Sequence, residues 1–157
     1  VQEAAVQALL GLARHSEHHA AIVKSGAFGP LVEQLSLGTS NSGEAAAELL
    51  RRLAAHTAMH LPIVEAITCP TLLALARRNW SPVEREVSFI ILEGVTSDHQ
   101  NYRDEIMSHQ GISFIAKQLS TATGKELSAT VGLLRNLCKG GAAFQEKVFA
   151  SGVLPTL

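Results

Sequence analysis

The sequence repeats itself every 41 to 43 residues, and few folds accept such a period. Ile22, Ile63, Ile106 and Val148 are spaced 41, 43 and 42 apart. Leu12, Leu53, Val95 and Leu137 follow at 41, 42 and 42, and Leu31, Leu72, Ile115 and Leu157 at 41, 43 and 42. Three apolar positions therefore keep one register along the chain. A period in the forties, with three apolar helical segments per unit, predicts an all-α solenoid in which each unit buries its hydrophobic face only against its neighbours.

Composition fits closely packed helices: 46% of the residues are hydrophobic but only 4% aromatic, so Leu, Ile, Val and Ala must form the core. A formal net charge of -1 gives no global pull toward nucleic acid. No apolar stretch approaches the roughly 20 residues needed to span a bilayer. Val1 to Leu12 carries Gln2 and Glu3 instead of a basic leader. These features predict a soluble chain without membrane insertion. Cys69 and Cys138 occupy non-equivalent repeat positions and form neither a CxxC pair nor a disulfide framework, which points to a reducing compartment.

Each unit reads as a short helix, a turn, a second helix, a polar turn and a long third helix. Gly26 is placed to stop a first helix in the left-handed conformation and Pro30 to open a second one; Gly152 and Pro155 repeat these roles, Pro70 shares the position of Pro155, and Ile67 departs from the glycine pattern. Asn41 with Glu44, Ser81 with Glu84, and Thr123 with Glu126 have the spacing of reciprocal helix caps. Third helices are expected at about Gly43 to Ala54, Pro82 to Thr96 and Gly124 to Cys138. Gly11 and Gly94 lie inside third helices, where glycine costs about 1 kcal/mol relative to Ala. A neighbouring helix is the more ordinary reason for them, a close partner backbone the other.

The segments VQEAAVQALLGLA, HHAAIVKSGAFGPLVEQL and LSATVGLLRNLC resemble the armadillo repeat, and the resemblance covers essentially the whole chain. It implies a right-handed armadillo-type solenoid, a single array over 1–157 with a partial repeat at 1–15, repeats at 16–55, 56–97 and 98–139, and a partial repeat at 140–157. Without a polar capping unit at either end, the chain is expected to be a piece of a longer array. The family implies a non-catalytic protein-binding scaffold that holds an extended segment or a partner domain along the concave groove of the third helices, with no cofactor. The alternatives are the substrate-docking or autoinhibitory arm of a larger enzyme, such as a ubiquitin ligase, and a structural protein of the ciliary axoneme. The expected location is the cytoplasm, with nucleus or cilium as variants.

In peptide-binding members such as importin-α and β-catenin, an Asn just before the last Leu of the third helix grips the partner backbone, since an amide donates and accepts at once. The matching positions are Gly11, Arg52, Gly94 and Asn136, so only Asn136 keeps that motif. Importin-α stacks partner side chains on a Trp four residues earlier, where this chain has Gln7, Glu48, Ile90 and Gly132. Partner-binding candidates are accordingly Gln7, Glu48, Arg51, Arg52, Glu93, Arg135 and Asn136. Glu48 with Arg52 is also an i, i+4 pair able to support its own helix.

Seven histidines invite a metal reading, but His15, His56 and His99 are equivalent sites of successive repeats. Packed helices lie about 8 to 10 Å apart, too far to close on one zinc ion. Histidines there are expected to bond the last carbonyls of the third helices. No Gly-rich phosphate loop, nucleophile elbow or paired carboxylates suggest an enzyme. Arg77 and Arg78 with Trp80 form a lesser candidate surface; Trp80 is expected to fold on its own repeat while the arginines complement the second-helix C-terminus.

Overall fold

A computed structural model of the protein describes residues 2–37, 40–77, 82–108 and 110–151. Trp80, Arg78, Ser81, Gly152, Pro155 and Leu157 lie outside the described residues. Within them the chain forms eleven α-helices, one single-turn 3-10 helix and no strand. The packing groups these helices into two compact units, Val1–Thr68 and Cys69–Leu157.

In the first unit, α1 (Gln2–Leu12) lies against α4 (Ser40–Ala54). The 3-10 turn Ser16–His18, α2 (His19–Lys24) and α3 (Phe28–Leu37) connect them, and α5 (Thr57–Ile67) packs on α2, α3 and α4. The predicted registers supply the core. Ile22, Leu31, Leu53 and Ile63 are at most 4% exposed, joined by Phe28, Leu49 and Leu50. Each such side chain contributes about 1.5 to 3 kcal/mol by leaving water. Leu12 breaks its ladder at 49% exposure, because α1 is an edge helix whose outer flank meets no described helix.

The second unit contains α6 (Cys69–Arg77), α7 (Pro82–Asp98), α8 (Gln100–Ser108), α9 (Gly111–Leu119), α10 (Gly124–Cys138) and α11 (Ala142–Ala150). Its most extensive packing runs between the two long third helices, α7 and α10. Leu72, Leu92, Val95, Ile106, Ile115, Leu133 and Leu137 fill its interior, and Phe89 stacks on Phe114 with ring centroids 6.0 Å apart.

The expected third helices are all present. α10 matches its expected span, α7 runs two residues further, to Asp98, and α4 starts earlier, at Ser40. That early start places Asn41 inside α4, so it is not the cap residue. Thr123 does hold the extended cap conformation of α10, yet its hydroxyl makes no cap bond. Glu126 is 7% exposed and accepts from Arg85 Nε on α7 at 3.1 Å. A charge-assisted bond across two helices is the stronger competitor for a carboxylate than a neutral N–H of its own first turn.

A residue of positive φ follows the first helices whether or not glycine is available. Gly26 has φ 74°, and Thr68 at φ 67° and Gln110 at φ 54° do the same work in the following repeats. A side chain in that region costs free energy that Gly26 avoids.

Carbonyls at the third-helix ends are satisfied by a second ladder. His19 Nε2 bonds Ala13 O at 2.9 Å, and His60 Nε2 bonds Ala54 O at 2.6 Å. A carbonyl only accepts, so Nε2 carries the proton in both rings. Arg103 donates to Thr96 O and Gln145 to Cys138 O. Donors 19, 60, 103 and 145 and acceptors 13, 54, 96 and 138 each recur with the repeat period. The expectation that His15, His56 and His99 would do this is corrected. His15 and His56 instead occupy the extended position just before the next helix, and their successors four residues on turn back to the carbonyl.

Candidate partner-binding face

The third helices were expected to carry the partner-binding side chains, and the structure gathers these into two clusters, one in each unit. On α4, Glu48 is one turn from Arg51 and Arg52. Arg51 donates through Nε and a terminal nitrogen to the two Glu48 oxygens at 2.7 and 2.8 Å, and Arg52 Nε donates at 2.8 Å. The hydrogen bonds from Arg51, with Arg52 beside them, hold the Glu48 carboxyl down at about 2, against an ordinary value of 4.5. All three side chains remain 29 to 38% exposed. The result is a charged surface whose rotamers are fixed by its own internal bonds. Gln7 on α1 is exposed and makes no hydrogen bond among the described residues.

The second cluster joins α7 to α10. Arg135, 70% exposed, lies 3.8 Å from the Glu93 carboxylate. Glu93 rests against Gly132, where an added Cβ would fall 1.9 Å from Glu93 Oε1. The position that a Trp occupies in importin-α is here the bed for a carboxylate from the preceding third helix.

Asn136 departs from expectation. It is 1% exposed, and its Nδ2 donates to the Glu93 backbone carbonyl at 2.9 Å and toward Thr96 Oγ1 at 3.5 Å. The donor half of the amide therefore ties α10 to α7, while Oδ1 is buried without a partner among the described residues. Gly11 also differs from the expected crowding: a Cβ there would meet nothing within 4 Å. Arg77 lies in the last turn of α6, as expected; it covers the face of Phe114 at 5.3 Å from the ring centroid and donates to Gln110 O at 3.2 Å.

Two features escaped the sequence reading. The Arg85–Glu126 pair spans 41 residues, one repeat period, but a spacing that long is not itself a contact signal. The donor ladder at 19, 60, 103 and 145 was visible as a period, three residues before the Ile22 register, but His, His, Arg and Gln share only their ability to donate.

No protein-family model and no curated protein matches the sequence. Solved structures do. A computationally designed armadillo repeat protein for modular peptide recognition superposes with TM-score 0.80 at 19% identity, covering 98% of this chain and 65% of that one. The chain has the armadillo-repeat fold. A designed armadillo repeat protein in complex with the peptide (KR)4 gives TM-score 0.75 at 18% identity, over 98% of this chain and 64% of that one. An engineered protein gives TM-score 0.77 at 21% identity, over 99% of this chain and 38% of that one. The chain thus spans less than two thirds of the length of these neighbours. No single helix among the described residues is long and apolar enough to cross a membrane.

Proposed function

We propose that this armadillo chain is a non-catalytic scaffold that holds a protein or peptide partner on the faces of its third helices. The observation that carries the reading is the α4 cluster, in which Glu48, Arg51 and Arg52 are fixed by three hydrogen bonds and yet remain about a third exposed. Charged side chains already ordered lose little entropy on contact, which favours recognition. Gln7 is a further candidate in the first unit. Glu93 and Arg135 form a candidate surface of their own in the second unit, where the buried Asn136 supports it from behind by fixing the turn of α7 that carries Glu93. Designed armadillo proteins made for peptide recognition support the same use of the fold.

The test is hydrogen exchange with and without a bound peptide drawn from an array of extended sequences of varied charge. Protection is expected on α1, α4, α7 and α10. Protection confined to the second helices α3, α6 and α9 would place the partner elsewhere and end this reading.

A further inference from the structure

We propose that the first unit contains a subsite for an acidic stretch of the protein partner, between the C-terminal ends of α1 and α4. This rests on the reading that third helices hold a partner, and names the chemistry of what one of them takes. A cleft of about 460 Å³ opens there, with Arg14, Arg51, Arg52, His19 and His56 on its walls and no acidic side chain among its lining residues. Glu48, just outside, pairs with Arg51 and Arg52.

The charge count leaves a place for further anions. Glu48 receives both nitrogens it can align with Arg51, but only Nε of Arg52. The terminal nitrogens of Arg52 and the whole Arg14 guanidinium find no acceptor among the described residues. A guanidinium fork matches a carboxylate in two parallel bonds, so each of these arginines is suited to one carboxylate.

Helix ends would ordinarily oppose this, since the C-terminus of a helix carries partial negative charge. Here the end carbonyl of α1 facing the cleft, Ala13 O, already accepts from His19, and Ala54 O of α4 accepts from His60. Nor does bulk block the approach. Gly11, the repeat equivalent of Arg52 on α1, is exposed and has open space within 4 Å of where a Cβ would stand. A net charge of -1 for the whole chain speaks against a polyanion such as nucleic acid and for a short acidic segment read locally. The neighbour that carries (KR)4 binds a peptide of the opposite sign.

The test uses three labelled peptides of one length, alternating Ser with Glu, with Gln or with Lys, and fluorescence anisotropy. The Glu peptide is expected to bind saturably and to weaken with salt. Arg14→Ala and Arg52→Ala should each weaken it about tenfold, the value of one lost charge-assisted contact. Lys125→Ala, on α10 and outside the cleft, should leave it unchanged. Circular dichroism checks each fold; should Arg52→Ala disturb α4, Arg14→Gln, exposed and beyond the helix end, decides alone. Preference for the Gln or Lys peptide, or Glu-peptide binding indifferent to both arginine variants, overturns the acidic subsite while leaving the scaffold reading in place. Equal binding of a thymidine oligonucleotide with the same losses overturns it as mere anion attraction. Failure of all three peptides removes both readings.

Discussion

Substitutions at His60 test whether the period fixes a chemical role or only a shape. His60 Nε2 donates to Ala54 O at 2.6 Å at the end of α4, where the last helical carbonyls have no partner in their own helix. The repeat-equivalent positions hold His19, Arg103 and Gln145, each bonded to the equivalent carbonyl. If donation is the role, His60→Gln should fold as well as the wild type. It also removes a buried ring nitrogen, Nδ1, that has no hydrogen-bond partner among the described residues. His60→Leu fills similar volume but strands the carbonyl. A net hydrogen bond is worth about 0.5 to 1.5 kcal/mol and an unsatisfied buried acceptor about 1 to 3. Because the site is half-buried and water can reach part of it, the Leu variant should fall about 1 to 2 kcal/mol below the Gln variant. For a chain of this size that is about 2 to 4 °C in Tm per kcal/mol. Thermal melts of the two variants side by side make the measurement. His60→Leu melting with or above His60→Gln would show that packing, not donation, sets the position.

Gly132→Ala is expected to be mildly stabilising. Helix propensity gains about 1 kcal/mol, and the group the new methyl displaces is the flexible end of the Glu93 side chain, whose ion pair is with a 70% exposed Arg135. A urea titration showing a loss of more than about 1 kcal/mol would mean Glu93 cannot swing aside. Leu53→Ala should cost about 2 to 5 kcal/mol, whereas the same change at its repeat equivalent Leu12 should cost under about 0.5, since the two are 0% and 49% exposed. Chemical denaturation of both variants checks the contrast. Glu48 has a folded pKa of about 2 against 4.5. Its stabilising effect is therefore complete above 4.5 and disappears as pH falls toward 2. With all three partners about a third exposed, screening leaves about 1 kcal/mol of it. The stability difference between wild type and Glu48→Gln should shrink over that window, and a constant difference would contradict the pairing.

The period and its apolar registers were enough to locate the third helices, because burial of Leu53, Val95 and Leu137 follows from their spacing along each helix. Local chemistry was less readable. Asn41 to Glu44 has cap spacing, but Ser40 and Ser42 beside it offer rival starting points, and α4 begins at the first of them. Thr123 with Glu126 has the same spacing, but the deciding partner, Arg85, stands a full repeat away. Thr68 and Gln110 adopt positive φ, which neither residue type signals in a sequence. The misses at Thr123 and Asn136 come from contacts that cross between helices, which a motif read along one helix does not contain.

Arg52 and Asn136 draw the functional consequence from the same fact. They hold one repeat position, yet Asn136 is buried against α7 and Arg52 lies on the surface beside Glu48. An amide is short and neutral, so it can enter the helix interface and bond Glu93 O there. A guanidinium could follow only if it were paired and fully bonded inside, and its first acceptor is instead one turn back on its own helix. The period thus assigns the place, while charge and length decide whether the side chain faces the array or a partner. Of the two, Arg52 is the residue free to meet one, and Asn136→Ala should lower stability before it lowers binding. Parallel melts and peptide titrations of that variant separate the effects: lost affinity with an unchanged Tm would return Asn136 to the binding surface.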